Sequence, residues 1–94
     1  MKKILFVNAC MRGAEQSRTW KLCQSFLNAC RGRWPEVEIQ ERDLTACDLP
    51  VLSGPMTAER DRRFQADPRD PMFDPAYEVA QADLVVIGAP YWDL

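Results

Sequence analysis

Ninety-four residues, 47% of them apolar and 28% charged, amount to one domain or part of one and exclude a disordered chain or a fibrous repeat. Twelve basic against fourteen acidic side chains leave a net charge of −2, too little for an electrostatic footprint toward nucleic acid or an anionic membrane. No apolar run approaches the ~20 residues of a membrane span, and Ile4 to Val7 is shorter than the roughly 7–15 residues of a signal-peptide core, so a soluble, cytoplasmic protein is expected.

The chain opens on Lys3 to Val7, a short continuous apolar run with β-branched and aromatic members, which predicts a strand buried on both faces. Small and polar residues from Asn8 to Gln16 break it, with Gly13 among them. A helical pattern then begins near Ser17, whose hydroxyl suits an N-cap. Cys23, Phe26, Leu27 and Cys30 recur at i, i+3, i+4 and i+7, which predicts one buried helix face shared by all four. Gly32 and Pro35 stop the helix, and Arg31 complements its negative end.

Val37 to Glu41 alternates apolar and polar side chains, the pattern of a half-exposed edge strand. Six prolines or glycines between Leu49 and Pro75 (Pro50, Gly54, Pro55, Pro68, Pro71, Pro75) predict a long connection instead of one continuous element. Within it, Thr57 is expected to cap a short helix reaching Phe64 or Gln65, whose charges from Glu59 to Arg63 form a solvated surface. Asp74 followed by Pro75 reads as an N-cap with proline at N1, opening a helix through Ala80 or Gln81. The unbroken apolar run Asp83 to Gly88 then predicts a central strand covered on both faces.

Strands alternating with helices in this order imply an α/β class, with a doubly wound parallel sheet of order 2-1-3. In such sheets ligands bind beyond the carboxyl ends of the strands. Two segments fall there. Cys10 to Thr19 leads from the first strand into a helix N-terminus, where free amides and the helix dipole favour a phosphate. Arg12 and Arg18 add charge-assisted bonds, and Ser17 and Thr19 add hydroxyl donors. The segment lacks a complete glycine-rich phosphate motif, so an ordinary polar connection fits its composition equally. Gly88 to Leu94 follows the last strand, and Pro90, Tyr91, Trp92 and Asp93 place aromatics on a proline-led turn, suited either to a planar ring system or to capping the core.

The first strand and its loop, Glu41 to Leu44, Leu49 to Leu52 and above all Ala82 to Trp92 resemble the flavodoxin-like NAD(P)H:quinone oxidoreductase and FMN-dependent azoreductase family. The resemblance runs through residues 1–94, which it implies are the N-terminal half of one flavodoxin-like domain, truncated after the third strand. It implies FMN as cofactor, with the phosphate held by Gln16, Ser17 and nearby amides, and Pro90, Tyr91, Trp92 and Asp93 at the isoalloxazine. Electrons would come from NADH or NADPH and pass through the flavin to a small-molecule quinone, azo or nitro acceptor. The flavin carries the chemistry, so no catalytic side chain is assigned. Ala9 and Cys10 stand where family members commonly carry serines or a histidine. A 2-1-3 sheet would leave the far edge of its third strand unpaired, predicting a homo-oligomer or completion by another chain.

Two rivals come from other classes. The low-molecular-weight tyrosine phosphatases place a cysteine at the same point in a Cys-x5-Arg loop, but Gln16 occupies the arginine position here and Arg18 falls two residues late. The other rival is a non-catalytic fragment, or a module that completes its sheet on another subunit. Cys10, Cys23, Cys30 and Cys47 form no C-x-x-C pair, and the chain has no histidine, so reduced thiols and no metal site are expected.

Overall fold

Three parallel strands form one sheet: β1 (Lys3–Asn8), β2 (Glu38–Asp43) and β3 (Leu84–Gly88), in the order β2-β1-β3. The computed structural model describes residues 1–10, 17–46 and 53–89. In register, Ile4 lies between Ile39 and Leu84, and Asn8 lies between Asp43 and Gly88. β1 is therefore the central strand, as its apolar run requires. β3 pairs only with β1 among the described residues, so it is an edge. That is the open far edge expected of a 2-1-3 sheet, whereas the expected covering of both faces fails at Ile87, which is 66% exposed. Its apolar run resembles that of a central strand, but β1 supplies its described partner on one side only.

Between β1 and β2 runs α1 (Arg18–Arg33). Ser17 caps it as expected, its Oγ accepting the Trp20 amide at 3.0 Å. Cys23, Leu27 and Cys30 are buried and meet Ile4 and Phe6, with Trp20, Trp34, Ile39, Leu84 and Val86 around them. Ile4, Leu5, Phe6 and Leu27 are almost wholly withdrawn from water, each contributing on the order of 1.5–3 kcal/mol of burial. Phe26, expected on the same face, is 49% exposed. The buried stripe runs Trp20, Cys23, Leu27, Cys30, a spacing of three and four that is narrower than the full apolar arc, and Phe26 falls beyond its margin beside Leu22.

The connection after β2 contains α2 (Gly54–Ala66), a 3-10 turn (Pro71–Phe73) and α3 (Asp74–Gln81). α2 starts earlier than Thr57 because Ser53 is the cap, its Oγ accepting the Met56 amide at 3.4 Å. Pro55 is tolerated in the first turn, where its missing N–H is no loss. Thr57 instead sits inside that turn, donating its hydroxyl to the Ser53 carbonyl at 2.9 Å. α2 buries no residue, and Glu59 pairs with Arg62 and Arg63 on its open surface, in keeping with a solvated charge run.

Asp74 is likewise not a cap. It has helical torsions, because the 3-10 turn delivers the chain already wound, and Asp70 caps that turn by accepting the Met72 amide at 2.9 Å. Glu78 of α3 accepts from Gln40 at 2.9 Å and from Arg42 Nε at 2.8 Å, binding α3 to the face of β2 opposite Ile39. The sheet thus carries α1 on one face and α3 on the other, the doubly wound arrangement. No helix among the described residues is long and apolar enough to cross a membrane.

Candidate functional site

Parallel strands end together, so the carboxyl ends of all three meet at one rim. Three hydrogen bonds fix that rim. Ala9 N–H donates to the Gly88 carbonyl at 2.8 Å, Leu44 N–H donates to the Asn8 carbonyl at 2.8 Å, and the Cys10 amide donates to Asn8 Oδ1 at 2.9 Å. The last is a side-chain turn that lets the chain leave the strand without orphaning an amide. Asn8 is 6% exposed, so this bond also gives its buried side-chain oxygen a partner. On the β2 side, Asp43 Oδ1 accepts both the amide and the hydroxyl of Thr45, at 2.9 and 2.6 Å.

The N-terminus of α1 arrives at the same rim. Ser17 is 6% exposed and holds the Trp20 amide, while its carbonyl accepts the Lys21 amide at 3.2 Å. The amides of Arg18 and Thr19 have no acceptor among the described residues. They are the orphan donors of a helix start, and with the dipole behind them they suit an anion. The Arg18 side chain is exposed and Thr19 half-buried. Ser17 also keeps a hydroxyl proton to donate while it accepts from Trp20.

Gly88 determines how closely α1 and the rim approach. A Cβ on it would stand 2.9 Å from Cys23 Sγ, 3.1 Å from a Phe6 ring carbon and 3.5 Å from Cys10 Sγ. Only glycine lets the helix, the central strand and the loop meet there. Cys10 is 3% exposed, and its thiol donates to the Gly88 carbonyl at 3.6 Å, so it faces the sheet. Burial, and then the neighbouring Cys10 side chain, push the Cys23 thiol up from its ordinary value.

Of the residues singled out from the sequence, Cys10 is placed against Gly88, and Ser17, Arg18 and Thr19 form the cap and first turn of α1, whose Cys23 packs against the same glycine. Arg12, Gln16, Pro90, Tyr91, Trp92 and Asp93 lie outside the described residues. Sequence reasoning passes over Asn8 and Gly88 as individual residues. An asparagine directly after an apolar run signals a side-chain turn, and a glycine at the end of a strand signals close backbone approach, so both carry a readable sign.

A family model described as "Flavodoxin-like fold" matches residues 2–93. The chain belongs to that family. Its three parallel strands in the order β2-β1-β3, with a helix on each face, agree with a flavodoxin-like fold. Among curated proteins it is similar to an "FMN-dependent NADH:quinone oxidoreductase" of Coprothermobacter proteolyticus, 33% identical over 95 residues, covering 100% of this chain and 47% of that protein. A protein of the same name from Clostridium perfringens is 32% identical over 102 residues, covering 100% of this chain and 48% of its own length. An "FMN-dependent NADH:quinone oxidoreductase 2" of Bacillus cereus is 33% identical over 101 residues, covering 99% of this chain and 49% of its own. The chain therefore spans about half the length of the curated relatives it matches.

Proposed function

We propose that this chain is the flavin-phosphate half of an FMN-dependent NAD(P)H oxidoreductase that passes electrons to a quinone, or to an azo or nitro compound of similar shape. The observation that supports the proposal is the meeting of two sequence-distant segments: the end of β3 bonds directly to the residue after β1, and Gly88 there packs against Cys23 of α1, the helix whose first-turn amides are open among the described residues. A phosphate needs such donors, and a planar ring needs a neighbouring wall. The names of the similar proteins, each an FMN-dependent NADH:quinone oxidoreductase, agree with that chemistry.

In this reading the FMN phosphate is held by the amides of Arg18 and Thr19, the hydroxyls of Ser17 and Thr19, and the side chains of Arg12, Gln16 and Arg18. Cys10 lines the base of the loop. Pro90, Tyr91, Trp92 and Asp93 lie against the isoalloxazine. When bound, FMN supplies the two-electron chemistry, and the protein contributes position, orientation and exclusion of water. NADH or NADPH is the donor, and the setting is the cytoplasm. A second copy of the chain, or another chain that extends the sheet past β3, is the macromolecular partner of this reading.

The test is an FMN titration followed by flavin fluorescence. The 94-residue chain is expected to quench the emission at micromolar protein, and Trp92→Ala to weaken the quenching. Unchanged emission at that concentration, from protein that is folded by circular dichroism, would reject flavin binding by this chain.

The exposed Ile87 and the open edge of β3 favour one second reading, a non-catalytic module that completes its sheet on a partner chain. Association into larger species with no flavin uptake would select that reading.

A further inference from the structure

Two sulfurs border the space where Gly88 lacks a side chain. Cys23 Sγ lies 2.9 Å, and Cys10 Sγ 3.5 Å, from the point where a Cβ would sit, so the thiols converge on one spot from different elements. Cys10 follows β1, and Cys23 lies in the second turn of α1. Both are buried and both are free thiols. From this geometry we infer that Cys10 and Cys23 form a redox-active dithiol, which closes to a disulfide when a hydroperoxide reaches the carboxyl rim of the sheet. The inference is independent of flavin binding.

The chemistry balances in two steps. The Cys10 sulfur attacks one peroxide oxygen, the O–O bond breaks, and Cys10 becomes a sulfenic acid as water leaves with the thiol proton. The Cys23 sulfur then attacks the Cys10 sulfur, an S–S bond forms, the S–O bond breaks, and a second water carries off the Cys23 proton. The two thiols together lose two electrons and two protons, and one hydrogen peroxide becomes two waters.

Helix geometry excludes a bond between Cys23 and the third described cysteine, Cys30. Cys30 is buried on the same stripe as Cys23, but seven residues of helix separate their Cα atoms by about 10 Å, beyond the roughly 7 Å that a disulfide spans. Closure would join the ends of the segment from Cys10 to Cys23, which contains the loop into α1.

To test this, the reduced chain is treated with hydrogen peroxide, alkylated, digested with trypsin and mapped by mass spectrometry, with free thiols counted in parallel. The expected product joins the Cys10 peptide, ending at Arg12, to the peptide from Leu22 to Arg31, and is cleaved by a phosphine reductant. Since the second peptide also carries Cys30, the Cys30→Ser variant assigns the bond: there the same link is expected, with free thiols falling from three to one, as against four to two in the unaltered chain. Cys23→Ser is expected to abolish the link. The inference is overturned if the Cys10 peptide joins the one bearing Cys47, if the link disappears in Cys30→Ser, or if Cys10 remains alkylatable after peroxide while circular dichroism shows folded protein. The unaltered and Cys30→Ser arms decide the matter even where Cys23→Ser does not fold.

Discussion

At the scale of single residues, two glycines in one chain make opposite demands. Gly88 is buried where a Cβ would meet Cys23 Sγ at 2.9 Å and a Phe6 ring carbon at 3.1 Å. Phe6 is 1% exposed and wedged between strands and helix, so the ring has nowhere to retreat. Gly88→Ala is expected to destabilise the fold by about 1–3 kcal/mol through overpacking. Gly32, by contrast, lies in the last turn of α1 with nothing within 4 Å of its virtual Cβ. Gly32→Ala is expected to stabilise by roughly 0.5–1 kcal/mol, because alanine loses less backbone entropy on entering a helix. Urea unfolding of the two variants beside the unaltered chain checks both signs, and equal effects would sink the packing account of Gly88. Asn8 gives the same lesson on the polar side. Its amide oxygen is spent on the Cys10 amide, a role that hydrophobic patterning cannot reveal because the residue is polar and yet 6% exposed.

At the scale of elements, the described starts and ends of helices and strands are set by small polar contacts, and sequence patterns read these unevenly. Ser17 is legible as the cap of α1 because it precedes the apolar stripe directly, and the Trp20 amide takes its Oγ. Ser53 outcompetes Thr57 because proline at the second helical position needs no hydrogen bond, so the helix starts before the residue that looks like its cap. Asp74 loses the capping role to Asp70 through a 3-10 turn that periodicity does not mark. The apolar run of β3 marks a strand correctly but its coverage wrongly, since composition reports burial expected in a finished sheet and pairing decides what is buried. Phe26 departs from its expected face because an apolar residue at helical spacing is buried only where the facing sheet reaches it.

One strand contact carries a pH dependence. Asp83, just before β3, accepts the amides of Lys2 and Lys3 on the same Oδ2, each at 2.9 Å, and its own amide donates to the Lys3 carbonyl at 2.8 Å. The two backbone donors, together with the nearby N-terminal and Lys2 charges, hold its carboxyl below the usual value of 3.8. A folded-state pKa below the unfolded one gives stability that is present above the unfolded value and is lost as pH falls through the folded value. Asp83→Ala is therefore expected to be less stable than the unaltered chain at neutral pH, and the gap should narrow as pH is lowered below about 4. Circular dichroism through an acid titration of both proteins measures this, and a gap independent of pH would assign the loss to something other than the carboxylate.

For the whole molecule, surface area decides what the chain needs. It exposes 7119 Å², against about 5,500 Å² for a compact monomer of its mass. Its radius of gyration is 15.7 Å where about 12 Å is usual for this length. Both excesses describe a thin slab, 18 Å in its shortest dimension, in which a three-stranded sheet has more apolar face than its helices cover. The uncovered residues are specific: Ile87 on β3 is 66% exposed, Val79 on α3 52%, and Leu22 and Phe26 on the flank of α1 72% and 49%. Ile87 combines that exposure with a place on a strand whose outer edge has no partner among the described residues, and such a combination pairs readily with another strand. The purified chain is accordingly expected to sediment as an oligomer at tens of micromolar, with an average mass that falls on dilution. Ile87→Lys puts a charge on that edge and should shift the distribution toward the single chain, whereas Arg62→Lys, on the solvated face of α2, should leave it unchanged. A monodisperse monomer at the highest concentration would show that the slab is stable with its edge open, and a distribution indifferent to Ile87→Lys would move the contact away from β3.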